Sequence, residues 1–165
     1  MSGQCYFGET LQMATPRKLS IALYFCSMKE HHTKSKGDLG VLKASADLCS
    51  KGFLVCLPFS EHAPFDLVIY KNGHFKRVQV KSRKVDGQGV LMIGFRSSYS
   101  TSKGVQTVEV DKNEVDLYCI YCIDNDTCYY FNPISFNKSV SIRVRPPKNN
   151  QTAGVHLAND FREVP

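Results

Sequence analysis

The sequence predicts an α/β or α+β domain built on one central β-sheet. Two observations carry this expectation. A helix-period run of apolar positions ends at Lys51-Gly52, and a series of short apolar segments follows it, two of them separated by Asn72-Gly73. With 165 residues the chain fits one domain, large enough to bury about 70% of the surface of its unfolded form. Its 42% hydrophobic and 22% charged content is that of an ordinary globular chain. No apolar run approaches the ~20 residues of a helical membrane span, so a membrane-spanning protein is not expected. Neither an internal repeat nor a low-complexity tract interrupts the pattern.

The helix opens near residues 35–38, either with Ser35 as its cap or with Asp38 in its first turn. Leu39, Leu42, Ala46 and Cys49 then recur at helical spacing, with Val41 and Leu48 alongside. Gly52 follows the last turn, where the backbone needs a residue free to adopt positive φ. Residues 53–57 read as a short apolar strand ended by Pro58. Residues 66–71 and 74–81 alternate around Asn72-Gly73, the strongest short-range signal for a hairpin. Strands are expected at 90–96, 105–110, 117–123, 128–131 and 140–144. Residues 97–104, rich in hydroxyls, read as a flexible connection, and the tail from Lys148 as largely polar.

Seven scattered cysteines, an odd number, fit reduced thiols in an intracellular, cytoplasmic setting better than a disulfide framework. Cys119 and Cys122 have metal-like spacing but fall in an expected strand, where residues three apart face opposite sides, so a shared zinc is not expected. Residues 19–26 faintly resemble a signal sequence but lack a small-residue cleavage site. Met28 makes a natural second start, so residues 1–27 are expected to lie outside the fold. The domain reading is 1–33 as an N-terminal extension, 34–145 as the folded domain and 146–165 as a tail.

The Asn72-Gly73 turn fixes which residues stand opposite one another. If the turn has two residues, Asp66 lies across from Gln79, with Cβ atoms about 5 Å apart. Lys81 projects from the same face as Gln79, whereas Leu67, Ile69, Val78 and Val80 project from the other. One face is therefore apolar and the other ends in a carboxylate, an amide and an ammonium. A one-residue slip would destroy that sorting. Taken alone, Asp66 and Lys81 also fit an ordinary surface ion pair.

Pro64-Phe65-Asp66, twelve further residues and then Gln79-Val80-Lys81 resemble the PD-(D/E)XK nuclease motif, with Gln in place of the second acid. The ordered set Lys36-Gly37-Asp38-Leu39-Gly40, Lys51-Gly52-Phe53, Pro58, Ala63-Pro64-Phe65-Asp66-Leu67 and Arg77-Val78-Gln79-Val80-Lys81 is similar to the branch containing cyanobacterial group I intron homing endonucleases. Val115-Asp116-Leu117-Tyr118 and Tyr129-Tyr130 resemble its later strands. The resemblance covers residues 34–145 and implies a restriction-endonuclease-like core, a central mixed β-sheet flanked by helices. It further implies that Asp66, Gln79, Lys81 and Asp38 are catalytic, and that Asp66, Gln79 and the Val80 carbonyl hold Mg²⁺, with Mn²⁺ as a substitute. Many relatives carry Glu where this chain has Val41; Asp38, one turn earlier, either replaces it or merely caps the helix.

The chemistry suits these residue types. Phosphodiester hydrolysis uses a hard cation held by carboxylates, and a positive side chain beside the attacking water. The function expected is a metal-dependent, site-specific endonuclease acting on double-stranded DNA. The alternatives are a Holliday-junction or DNA-repair nuclease, and an inactive DNA-binding module in which Gln79 and Val41 mark the loss of cleavage. His31-His32 and His62 read as solvated segments, and no Walker A, GxSxG or dinucleotide fingerprint is present.

The net charge of +6 has a location. Residues 71–103 hold eight basic residues against one acid, Asp86, while the rest of the chain is nearly neutral. Lys76, Arg77, Arg83, Lys84, Arg96 and Lys103 are accordingly expected to contact DNA, with Tyr99 contributing a hydroxyl. A single small module covers only about 600–1,000 Å² of DNA, so a long target implies a homo-oligomer, a dimer or tetramer.

Overall fold

Asn72 (φ 52°) and Gly73 (φ 84°) both take left-handed backbone, forming the tight turn that matches the twist of its flanking strands. The turn joins β2 (Leu67–Lys71) to β3 (His74–Arg83), with Leu67 opposite Val78 and Lys71 opposite His74. The register is the one that the sequence predicts. The computed structural model describes residues 32–60, 62–146 and 154–165, without the side chains of residues 32, 33, 97, 99 and 100. Most of the expected N-terminal extension, with His31, lies outside the described residues.

Two further strands complete the main sheet on the far side of β3. These are β7 (Leu117–Cys122) and β8 (Thr127–Phe131), turned at Asp126 with φ 51°. With the edge strand β1 (Leu54–Cys56), the order is β1-β2-β3-β7-β8. Only β3 and β7 run parallel, so the sheet is mixed. The helix α1 (His32–Ser50) covers one face. The other face meets a second sheet, β10-β9-β4, made of β4 (Val90–Gly94), β9 (Ser139–Arg143) and β10 (His156–Leu157). The mixed sheet with a helix on it is the expected α/β core; among the described residues α1 is the one α-helix, and the second sheet takes the other side.

Burial explains this layering. Leu67, Ile69, Val78, Leu117, Cys119 and Tyr130 pack against Ala44 and Leu48 of α1. Tyr118, Ile120, Cys122 and Phe131 project from the opposite face onto Leu91, Ile93 and Ile142. Cys119 and Cys122 thus fall in different cores, as their strand spacing requires.

Four expectations are corrected. The helix begins at His32, so Asp38 lies in its second turn rather than its first. Its buried face is Gly40, Ala44 and Leu48, while Leu39, Leu42, Ala46 and Cys49 are exposed. Close approach to the sheet selects small residues here: a Cβ on Gly40 would stand 2.0 Å from Ser82 Oγ. Residues 97–104, expected as a flexible link, belong to a two-stranded ribbon of β5 (Arg96–Thr101) and β6 (Gly104–Glu109). The expected polar tail includes β10 and a 3-10 turn (Ala158–Phe161), with Ala158 buried and Phe161 against Phe131 and Phe136. Among the described residues, no helix is long and apolar enough to cross a membrane.

Candidate active site

Asp66 immediately precedes β2, and its backbone N–H donates to the Val78 carbonyl at 2.9 Å, extending the hairpin ladder by one step. That bond aims the carboxylate back over β3. Oδ2 accepts the Val80 N–H at 2.7 Å and the side-chain amide of Gln79. Gln79 and Lys81 project from the face of β3 opposite Val78 and Val80, which are buried in the helix-side core. Asp66, Gln79 and Lys81 together line an open cleft of about 360 Å³, whose rim is formed by Ala63, Pro64, Glu109, Val110, Asp111 and Glu114.

Burial works against both charges in the cleft. Burial raises the Asp66 pKa, and the Val80 N–H, the Lys81 charge and the Gln79 amide only partly oppose it. Burial also lowers the Lys81 pKa; the Asp66 charge opposes this and Arg83 adds to it. Both groups are thus pushed toward their neutral forms by loss of water. A further positive charge beside Asp66 would restore the carboxylate. The donor set is made of hard oxygens, from the Asp66 carboxylate, the Gln79 amide and the Val80 main chain, and suits Mg²⁺ better than a thiophilic metal. Among the described residues no group of three or more His, Cys, Asp or Glu side chains is arranged to hold a metal. Any cation here therefore relies on the amide and main-chain oxygens as well as Asp66.

The structure brings together Asp66, Gln79, Val80 and Lys81. It does not bring Asp38 to them: Asp38 is exposed and lines neither of the two clefts that Asp66 borders. Val41 does line the second of these, beside Leu57, Phe59 and Asp66. Val41, the position where the resemblance implies an acid, therefore puts an apolar side chain into a neighbouring cleft that Asp66 also borders.

The basic residues divide into two groups. Arg77 is committed internally: Nε and Nη2 donate to the two Asp116 oxygens at 2.9 and 2.8 Å, and Nη2 also reaches the Asn113 carbonyl. Lys76 bonds the Pro165 carbonyl. Those partners explain why two expected DNA contacts are bound within the fold. Arg83, Lys84, Arg96 and Lys103 are exposed. The side chain of Tyr99 lies outside the described residues. His62 is exposed in the loop before Asp66.

Sequence reasoning missed two features of the site. Glu109, Asp111 and Glu114 bring negative charge to the rim from a part of the chain with no motif. Tyr118, paired with Gln79 across the β3–β7 ladder, is fully buried, and its hydroxyl has no partner among the described residues. Burial, and then the Asp66 charge, push its pKa up to about 12, so it stays protonated. The signal that points to Tyr118 is the parallel pairing of β3 with β7, which the turn-based register does not provide.

Known proteins share this chain's fold and family. A solved structure described as that of a bacterial homing endonuclease, I-Ssp6803I, matches with a TM-score of 0.64 and 22% identity, covering 79% of this chain and 88% of that one. At that identity the likeness shows the shared α/β fold. No curated protein matches by sequence. The family model of the PD-(D/E)XK endonuclease matches residues 31–164, nearly the whole described chain. The chain therefore belongs to the PD-(D/E)XK endonuclease family.

Proposed function

We propose that this member cuts double-stranded DNA by divalent-cation-dependent hydrolysis, at chosen sites in the manner of a homing endonuclease. The observation that carries the reading is the Asp66 carboxylate, tied to the Val80 N–H at 2.7 Å and sharing one cleft with Gln79 and Lys81. Asp66, the Gln79 amide oxygen and the Val80 carbonyl would hold the cation, Mg²⁺ or in substitution Mn²⁺. When bound, such a cation lowers the pKa of a coordinated water and neutralises charge on phosphate oxygens.

The chain's own residues do the rest. Asp66 presents an acceptor-only group, and the Val80 N–H fixes its orientation. Lys81 Nζ offers donors to the attacking oxygen and the phosphate. Gln79 brings an oxygen without a second negative charge, so cation binding is weaker than with two acids. Arg83, Lys84, Arg96 and Lys103 add phosphate contacts whose strength falls with salt. A long target would need a second copy, hence a dimer or tetramer.

Supercoiled plasmid incubated with the wild-type chain and Mg²⁺ tests this. Nicked or linear product is expected, abolished by a chelator and by Asp66→Ala. Equal cleavage by purified Asp66→Ala would overturn the assignment.

A further inference from the structure

The β5–β6 ribbon stands apart from both packed sheets. Its six register pairs run from Arg96–Glu109 to Thr101–Gly104, and among the described residues neither strand pairs with any other. Every residue of β6 is exposed, including Val105 and Val108. Six residues per strand give a length of about 20 Å. A projection with no core of its own needs a firm root, and this one has two. Val110 N–H donates to the Phe95 carbonyl at 3.1 Å, closing the base. Phe95 itself is buried against Tyr118 and Phe131, with Lys112 Nζ over its ring at 4.8 Å.

The root is also the rim of the active site. Glu109 and Val110, where β6 ends, line the cleft with Asp66, Gln79 and Lys81. A duplex whose phosphate reached that cleft would therefore lie beside the ribbon. The major groove, about 12 Å wide, admits a two-stranded β-ribbon. Charge agrees, with Arg96 and Lys103 at opposite ends of β5 and its turn. An apolar protein partner fits less well: Val105 and Val108 are an odd number of residues apart, so they project from opposite faces and form no stripe.

We propose that this ribbon enters the major groove and reads base edges next to the cut, with Gln106 as its chief hydrogen-bonding side chain. The inference rests on the nuclease reading for its substrate. Gln106 is exposed in mid-strand, and a Gln amide matches the paired donor and acceptor of adenine in that groove. Ser98 and Thr107, 3.2 Å apart on the other face, are held by each other, which leaves Gln106 as the exposed amide on the ribbon's opposite face.

The test selects bound duplexes from a random library with the Asp66→Ala chain, with and without Gln106→Ala. The expected result is an enriched motif containing adenine at a position that Gln106→Ala makes degenerate. Affinity for the motif should fall about tenfold, with affinity for random duplex unchanged. Replacing that adenine by 7-deazaadenine, which lacks only the major-groove N7, should reproduce the loss. An unaltered motif in Gln106→Ala, the absence of any motif, or insensitivity to 7-deazaadenine would each overturn the proposal. The plasmid assay decides the nuclease reading separately, since a motif read by a chain that never cuts would leave the ribbon's role standing and remove the hydrolysis.

Discussion

Oδ2 of Asp66 accepts the backbone N–H of Val80 at 2.7 Å. The two residues belong to different arms of one hairpin, so the Asn72-Gly73 turn sets the position of the proposed catalytic carboxylate. A main-chain donor cannot be removed by a side-chain change, which makes the orientation of Asp66 a property of the fold itself. The same burial that holds Asp66 in place makes its charge costly, a common bargain between stability and activity.

Asp66→Asn should show that conflict. The amide oxygen can still accept the Val80 N–H, and a buried charge is removed. Thermal unfolding should give a melting temperature equal to or above that of the wild type, while plasmid cleavage falls about hundredfold or more. A large loss of stability would mean that the charge supports the fold.

Val41→Glu places a carboxylate in the cleft that Val41 shares with Asp66. A second acid strengthens cation binding, so the Mg²⁺ concentration giving half-maximal cleavage should drop about tenfold by that added charge. Titration of Mg²⁺ in the cleavage assay measures this. The variant should also lose about 1 kcal/mol of stability, since Val41 packs against the helix-side core.

Gly40→Ala tests the approach of α1 to the sheet. The new methyl would meet Ser82 Oγ, which now donates to the Lys36 carbonyl at 2.7 Å. Displacing the hydroxyl should cost about 1 kcal/mol. In a Ser82→Ala background the same change should cost nothing or stabilise, because Ala is the better helix former. Urea unfolding of the four chains gives the coupling.

Acid stability should depend on Asp116. The Arg77 side chain holds its carboxyl below the usual range, aided by the Arg77 N–H. A depressed folded pKa contributes stability above the unfolded value of about 4, and that contribution is lost as pH falls through the folded value. Asp116→Asn should therefore melt below wild type at neutral pH and converge with it under acid. Both partners are partly exposed, at 39% and 38%, which keeps the difference to about 1 kcal/mol.

How much of this was legible in the sequence depends on the range of the interaction. The Asp66–Gln79–Lys81 grouping is legible because a two-residue turn fixes register locally, and alternation then sorts the faces. The core strands β7 and β8 announce themselves by their apolar runs. The buried face of α1 does not, because Gly40 and Ala44 are chosen for closeness rather than for hydrophobicity. Residues 97–104 look like a linker because a free-standing ribbon has no apolar face to show. The acidic rim and Tyr118 reach the site through tertiary contacts, and no local pattern encodes them.

The central claim is that Asp66, Gln79 and Lys81 form a hydrolytic centre. Its most direct test is single-turnover cleavage of supercoiled plasmid in Mg²⁺ by the wild type and by Lys81→Met, with DNA binding read by gel shift on the same samples. The account predicts that cleavage, corrected for the fraction of DNA bound, slows about hundredfold or more by loss of the Lys81 charge. Equal cleavage rates with equal binding would contradict it.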